Sequence, residues 1–423
     1  MVVVALLVVV FANAAGTRKS IALMFSSSNN ATGTVLKQAD GSYTFSKGTT
    51  GPTTPGTSIM LPNTTLGARI NQFANDSEAT VTQYLASNAR GNFQASPAGP
   101  STPNGQGQFR FSCQYSHFNY DDPIVYPGAQ GRGKAHLHMY WGNTLTNAET
   151  TTTSLVNTGG GSCQGYEANR TAYWMPALLD ANNKVVIPYE IIMYYKVPAE
   201  LAAAAKEMPQ GLKMIAGNAS GNTDSSLFFA NGIQWQCYTG SINYTYEGQT
   251  IPNTCPANTQ ANVTASGHGY SSADTFPIKL NAIIYFPTCL KLNGDGTPVL
   301  DSADHKSHAA YYTSNGRGGL KCPDTHPYVM PQVSYHVAWS GTENYTGWYL
   351  SSDRMGTVKP SGTTLHADWF GGWNSQVLKQ WTQGCINQGQ NCSNGTMTAA
   401  AGFPLRQLTR MPDYTGPTHL TVP

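Results

Sequence analysis

The pattern of apolar and polar positions changes once along the chain. Residues 16–107 are dominated by Ser, Thr, Asn, Gly, Pro and Gln and keep no sustained apolar period. Within them, Gly48 to Thr57 reads as an extended, O-glycosylation-prone stretch. Thr65 to Asn88 predicts a helix through Leu66, Ile70, Phe73 and Tyr84, and Gly99 to Gly105 a linker. From Phe109 onward, short runs rich in β-branched and aromatic residues stand between Gly, Pro and Asn. They predict strands over Phe109–Cys113, Lys184–Tyr195, Ile278–Phe286 and Tyr328–Trp339. Helices are expected at the Ala-rich Glu200–Met208 and at Ser375–Cys385, where Val377, Leu378 and Trp381 share a face. No repeat of fixed period is present. The expected fold is mainly β: a disulfide-stabilised β-sandwich-like domain over 108–390 with a few short helices. The low-complexity segment 16–107 precedes it, and a polar tail, 391–423, follows.

Charge sharpens this picture by its scarcity. Only 11% of the 423 residues are charged, against roughly 25% in an ordinary soluble domain. The net formal charge of +2 argues against a nucleic-acid partner, which would call for a basic face. It argues equally against a charge-driven disordered tail. A hydrophobic share of 40% excludes a multi-span membrane protein. The surface must stay soluble by means other than ionised side chains.

The expected compartment is extracellular. Val2 to Ala12 is a short apolar run followed by the small-x-small sequence Ala12-Asn13-Ala14, which gives residues 1–15 the form of a signal peptide. At about 11 residues the run is too short to cross a bilayer. No Lys or Arg precedes it, so a buried strand of the mature chain is the competing reading. The eight cysteines (Cys113, Cys163, Cys237, Cys255, Cys289, Cys322, Cys385 and Cys392) all lie downstream, an even number suited to disulfides. Spacing suggests Cys385–Cys392, Cys237–Cys255 and Cys289–Cys322, and no C-x-x-C pair points to zinc. Asn-x-Ser/Thr sequons occur at Asn30, Asn63, Asn75, Asn169, Asn218, Asn243, Asn262, Asn344, Asn391 and Asn394. As a set they predict an N-glycosylated secretory protein.

Several phrases are individually unusual. In order they are Asp122-Pro-Ile-Val-Tyr-Pro-Gly128, Ala135-His-Leu-His138 with Trp141-Gly-Asn143, and Tyr173-Trp-Met-Pro176. Met208-Pro-Gln-Gly211 with Met214-Ile-Ala-Gly217 and Ile284-Tyr-Phe-Pro-Thr-Cys289 follow. Last come Leu300-Asp-Ser-Ala-Asp-His-Lys-Ser-His308, Cys322-Pro-Asp-Thr-His-Pro327 and His366-Ala-Asp-Trp-Phe-Gly-Gly-Trp373. In this order they resemble the DUF1996 family over roughly residues 108–390. The resemblance implies a secreted, mainly fungal protein, often coupled to cell-wall modules, and it implies no reaction. The chain departs from the family pattern at polar positions. Ala135 stands for Ser, Lys213 for Arg, Asn218 for Asp, Gly362-Thr-Thr364 for a Gly-Tyr-Gly lead-in and Asn374 for Asp, while the histidines are kept.

The histidines carry the candidate chemistry. In a strand, His136 and His138 share one face. Paired imidazoles ligate Zn, Cu or Fe, orient a sugar or share a proton. His305 and His308 with Asp301 and Asp304 form a second group, and His366 with Asp368 a third. The candidate catalytic set is therefore His136, His138, His305, His308, His366 and Asp368, with Lys306 or Tyr312 as a neighbour that tunes a pKa. If the groups converge, the donor set suffices for a metal centre or an acid/base pair. If they do not, Asp–His–backbone bonds that fix loops are a sufficient account. No cofactor and no metal are assigned. Nothing resembles a nucleophile elbow, a P-loop or a dinucleotide fingerprint. Trp141, Trp174, Trp369 and Trp373 suit either sugar stacking or core packing.

Two functions fit these features. One is a secreted protein associated with carbohydrate or cell wall, a hydrolase or lyase of extracellular polysaccharide. The other is a non-catalytic structural surface glycoprotein that self-associates. Neither involves nucleic acid or a membrane span.

Overall fold

The computed structural model describes residues 105–392 except 165–167, 189, 222–231, 240–242, 256–278, 317–318 and 341–342. It also describes isolated strand segments within 9–95, residues 406–408 and residues 419–420. The helix expected over Thr65 to Asn88 and the sequons at Asn30, Asn63, Asn75, Asn262 and Asn394 lie outside the described residues.

Thirteen strands, in chain order, form the two sheets that matter. They are β1 (Ile59–Met60), β2 (Gly107–Cys113), β3 (Tyr115–Asn119), β4 (His138–Gly142), β5 (Ala172–Pro176), β6 (Glu190–Val197) and β7 (Lys213–Gly217). The rest are β8 (Ile233–Thr239), β9 (Asn243–Gly248), β10 (Lys279–Tyr285), β11 (Gln332–Ser340), β12 (His366–Phe370) and β13 (Asn391–Cys392). One sheet has the order β7-β12-β5-β4-β3-β1 and the other β9-β8-β10-β11-β6-β2-β13. All pairs are antiparallel except β13 with β2.

The sheets face each other across an aromatic interior, so the fold is mainly β and sandwich-like, as expected. Trp141 of β4 donates its indole N–H to Met193 Sδ of β6 at 3.2 Å. Tyr335 of β11 donates its hydroxyl to the Asp368 carbonyl of β12 at 2.5 Å. Tyr195 Oη of β6 accepts from Trp369 Nε1 at 3.3 Å and Trp373 Nε1 at 2.9 Å. Burying such rings removes large apolar area from water, and each polar tip needs a partner when it goes in. Trp141, Trp174, Trp369 and Trp373 are at most 2% exposed, so they are packing residues and not a sugar-stacking platform.

The predicted strands appear with shifted ends. Lys184–Tyr195 divides into Val185–Val186 and β6, and Tyr328–Trp339 into Tyr328–Val329 and β11. Pro188 and Pro331 stand in the gaps, where the missing N–H interrupts a ladder. The Ala-rich helix is confined to Ala199–Ala202, and Ser375–Trp381 runs on into a wider turn over Thr382–Ile386. A further helix, Thr152–Asn157, starts from a reciprocal cap between Thr151 and Ser154.

The three spacing-based disulfides form, Cys113 joins Cys163, and no cysteine is free. In the C-terminal tail, His419–Leu420 pairs with Val185–Val186, and His419 bridges Asp180 (2.8 Å) and Glu343 (2.9 Å). One sequon expectation is corrected. Asn169 is fully buried and accepts from the Tyr173 hydroxyl at 2.9 Å, so the folded chain has no room for a glycan there. Asn344 is exposed, and Asn218 and Asn391 are half-buried. Among the described residues no helix is long and apolar enough to cross a membrane.

Candidate functional site

The site lies on the face of the six-stranded sheet that points away from the sandwich interior. β5 runs between β4 and β12, with Trp174 opposite both Tyr140 and Asp368, and Pro176 opposite His138. Residues opposite one another share a face, and so do residues two apart. His138, Tyr140, Trp174, His366 and Asp368 therefore project together, while Trp141, Tyr173 and Trp369 fill the interior. Ile124, Leu155, Ala172 and Phe370 pack around Tyr140 and Trp174 on the outer side. These strands are thus buried on both faces, and every residue of β4, β5 and β12 is buried.

His136 enters from the loop before β4. Its ring centroid lies 4.2 Å from that of His138 and 5.0 Å from that of His366, with His138 and His366 6.3 Å apart. Asp122 enters from the turn after β3, where its Oδ1 accepts the Ile124 (2.8 Å) and Val125 (2.9 Å) N–H groups. One ligating atom from each of His136, His138 and His366 lies within 4.8 Å of the others, and the same holds for Asp122, His138 and Asp368.

Backbone carbonyls decide which nitrogen of two rings carries the proton. His138 Nδ1 is 2.9 Å from the Asp121 carbonyl and His366 Nδ1 is 2.7 Å from the Thr364 carbonyl. A carbonyl only accepts, so both Nδ1 atoms are protonated and each neutral ring keeps its Nε2 lone pair. The Asp121 carbonyl also accepts the Tyr140 hydroxyl at 2.5 Å. Thr364 is held in turn by the buried Asp353, whose Oδ1 accepts the Thr364 N–H (3.2 Å) and hydroxyl (2.6 Å). The same carboxylate accepts the Leu350 (2.8 Å) and Gly362 (2.6 Å) N–H groups.

Four buried polar atoms here have no hydrogen-bond partner: His136 Nε2, His138 Nε2, Asp368 Oδ2 and Trp174 Nε1. The Trp174 indole N–H faces Asp122 closely enough to oppose slightly the rise that burial gives its pKa, without good hydrogen-bond geometry. Burial dominates the electrostatics. It pushes His138 and His366 down to about 4 and His136 well below the usual imidazole range, where the two neighbouring rings add to the effect. Burial, reinforced by Asp122, raises Asp368 well above the usual carboxylate range, and burial raises Asp122 too. Lys306 opposes the rise at Asp368; its ammonium donates to the Gly217 carbonyl at 2.8 Å, across the ladder from His366.

Of the six residues predicted from sequence, the fold brings together His136, His138, His366 and Asp368. His305 and His308 belong to the 300–309 loop that straps the edge strand β7. His305 binds Asp301 at 2.7 Å, and Asp301 pairs with Lys213 at 3.3 Å. His308 joins Ser302 Oγ (2.9 Å) to the Lys213 carbonyl (2.7 Å). Both histidines thus fix a loop. Lys306, from the same loop, does reach the site, whereas Tyr312 packs against the main core. Asp122 and Tyr140, absent from the expected set, also belong to the cluster, as does Trp174, expected only as a packing or sugar-stacking ring. The available signal was parity, since Tyr140 is two residues from His138 and Trp174 sits in one of the unusual phrases.

A family model described as a domain of unknown function, DUF1996, matches residues 122–373. The chain belongs to the DUF1996 family. Asp122 and Trp373 bound the matched segment, so every residue of the cluster lies inside the DUF1996 domain, and Lys306 with it. No curated protein and no solved structure matches the chain.

Proposed function

We propose that this DUF1996 protein works outside the cell as an enzyme on a cell-wall or other extracellular polysaccharide, cleaving it by hydrolysis or elimination at His136, His138, His366 and Asp368. One observation carries the reading: opposite proton roles meet in one buried place. Imidazoles with free acceptor nitrogens stand beside a carboxyl whose protonated form burial favours. Cleavage by general acid and base needs one group that takes a proton and one that gives it. Asp368 gives its proton to the departing glycosidic oxygen. An imidazole takes one from the attacking water, or from a sugar carbon in the eliminating case. Approach is from the side of half-buried His136 and exposed Lys306. Four disulfides suit an oxidising compartment, and a surface poor in charge suits a polar, weakly charged polymer.

The test is a panel of wall glycans incubated with the purified chain, read as new reducing or unsaturated ends. Activity that disappears in His136→Ala and in Asp368→Asn, with the circular dichroism of both variants unchanged, supports the reading. No product on any glycan, together with recovery of the protein from its source as assembled fibres, overturns it in favour of a self-associating structural glycoprotein.

A further inference from the structure

We infer that His136, His138 and His366 together hold a divalent transition-metal ion of the zinc or copper class, with Asp368 and Asp122 beside it. The inference rests on the cluster of the proposed function and deepens it. The imidazoles become ligands, and the two carboxyls become their neighbours.

Three observations carry it. First, a base needs one imidazole, yet three rings converge with a ligating atom from each within 4.8 Å of the others. Lone pairs that face one another repel unless a donor or cation stands between them, and no hydrogen bond joins these rings. Small side-chain rotations close such a set toward the ~2.0–2.1 Å bonds of a metal–imidazole centre.

Second, His138 and His366 each give Nδ1–H to a main-chain carbonyl, Asp121 and Thr364. That contact orients a metal-binding imidazole and leaves its Nε2 lone pair for the ion. The carbonyls are themselves held: Asp121 also accepts Tyr140, and Thr364 is tied to Asp353. The rings are thus pre-aimed, which a loop-filling histidine does not require.

Third, His138 Nε2 and Asp368 Oδ2 are orphaned on residues 0% and 1% exposed. A polar atom left so is destabilising when nothing binds it, and Asp122, 4% exposed, places a second carboxyl there. A dipositive ion satisfies the nitrogens and offsets the buried carboxylates in one step. All cysteines are in disulfides, so the donors are nitrogen and oxygen alone. Imidazole with carboxylate suits zinc, copper, iron or nickel and disfavours the metals that need thiolate. Three imidazoles leave a further position open on the side of Asp368, the layout of a catalytic and not a purely structural ion.

The experiment uses the full chain, secreted from a eukaryotic host, stripped with chelator and desalted. Zn²⁺ or Cu²⁺ alone is then added, and bound metal per chain is measured by elemental analysis beside the thermal midpoint. The expected result is one ion per chain and a raised midpoint. The affinity should fall by roughly tenfold or more in His138→Gln and His366→Gln and stay unchanged in His305→Ala and His308→Ala. Uptake no greater than that of a His136→Gln/His138→Gln/His366→Gln chain overturns the inference. If these variants do not fold, the Cu²⁺ spin-resonance spectrum of the unaltered chain decides: coupling to three imidazole nitrogens supports the site, and its absence overturns it. No glycan enters the measurement. A chain that binds metal yet cleaves nothing therefore overturns the enzymatic reading alone, and one that cleaves glycan without binding metal overturns this one alone.

Discussion

His138 Nδ1 donates to the Asp121 carbonyl at 2.9 Å, and this one bond decides what the opposite nitrogen of the ring can do. With the proton on Nδ1, Nε2 is an acceptor. His366 is set the same way by Thr364. Both rings should therefore be Nδ1–H tautomers in the metal-free protein. Long-range proton–nitrogen correlation spectra distinguish the two tautomers directly, and an Nε2–H signal for His138 would contradict the geometry.

Asp353 acts on the site from a distance. Its carboxylate gathers the Leu350, Gly362 and Thr364 N–H groups and the Thr364 hydroxyl, and Thr364 aims His366. Asp353→Ala leaves several buried donors without an acceptor, at about 1–3 kcal/mol each, and should lower stability by several kcal/mol in chemical denaturation. Asp353→Asn keeps acceptor capacity on one oxygen and should cost less. Equal losses in the two variants would show that the carboxylate is not the organising group.

Tyr195 is the polar pin of the interior. Its oxygen accepts two indole N–H groups and lies 2.9 Å from the Tyr173 oxygen. Tyr173 donates to Asn169, so Tyr195 donates to Tyr173. Tyr195→Phe strands the Trp369 and Trp373 donors and should destabilise the protein by ~2–4 kcal/mol. Tyr173→Phe strands fewer groups and should cost less. Urea unfolding midpoints of the two variants test the order.

Acid should loosen the fold through His117. This ring is fully buried, stacks on Tyr140 at a centroid distance of 4.8 Å, and its Nε2 donates to the Thr146 carbonyl at 2.8 Å. Burial lowers it from 6.5 to about 4. Between those values the unfolded chain binds a proton that the folded chain refuses. Its contribution is therefore complete above pH 6.5 and is lost as pH falls toward 4, by roughly 3 kcal/mol in total. His117→Gln retains a donor for Thr146 and removes the titration. Its stability should decline less than that of the unaltered chain over this interval, and parallel declines would rule His117 out as the cause.

The sequons should divide by burial. On protein from a secreting source, glycopeptide mapping should find Asn169 bare, since its side chain is enclosed and bonded to Tyr173, and exposed Asn344 open to modification. A glycan on Asn169 would mean that the β5 region folds otherwise.

The sequence by itself determined the β character, three of the four disulfides and the family. It also determined four members of the cluster. Strands such as β6 alternate buried with half-buried residues, and period two is visible in composition. The strands that build the site are buried on both faces, so β4, β5 and β12 carry no alternation to read. Only the tertiary structure decided which histidines meet. Antiparallel register sets Asp368 against Trp174 and Trp174 against Tyr140, a relationship between residues far apart in sequence. Spacing along the chain made His305 and His308 look equivalent to the rest. Hydrogen bonds to Asp301, Ser302 and Lys213 assign them to a loop. The scarce charges follow the same rule: Asp122 and Asp368 matter because the fold buries them side by side, a fact of packing that no local pattern records.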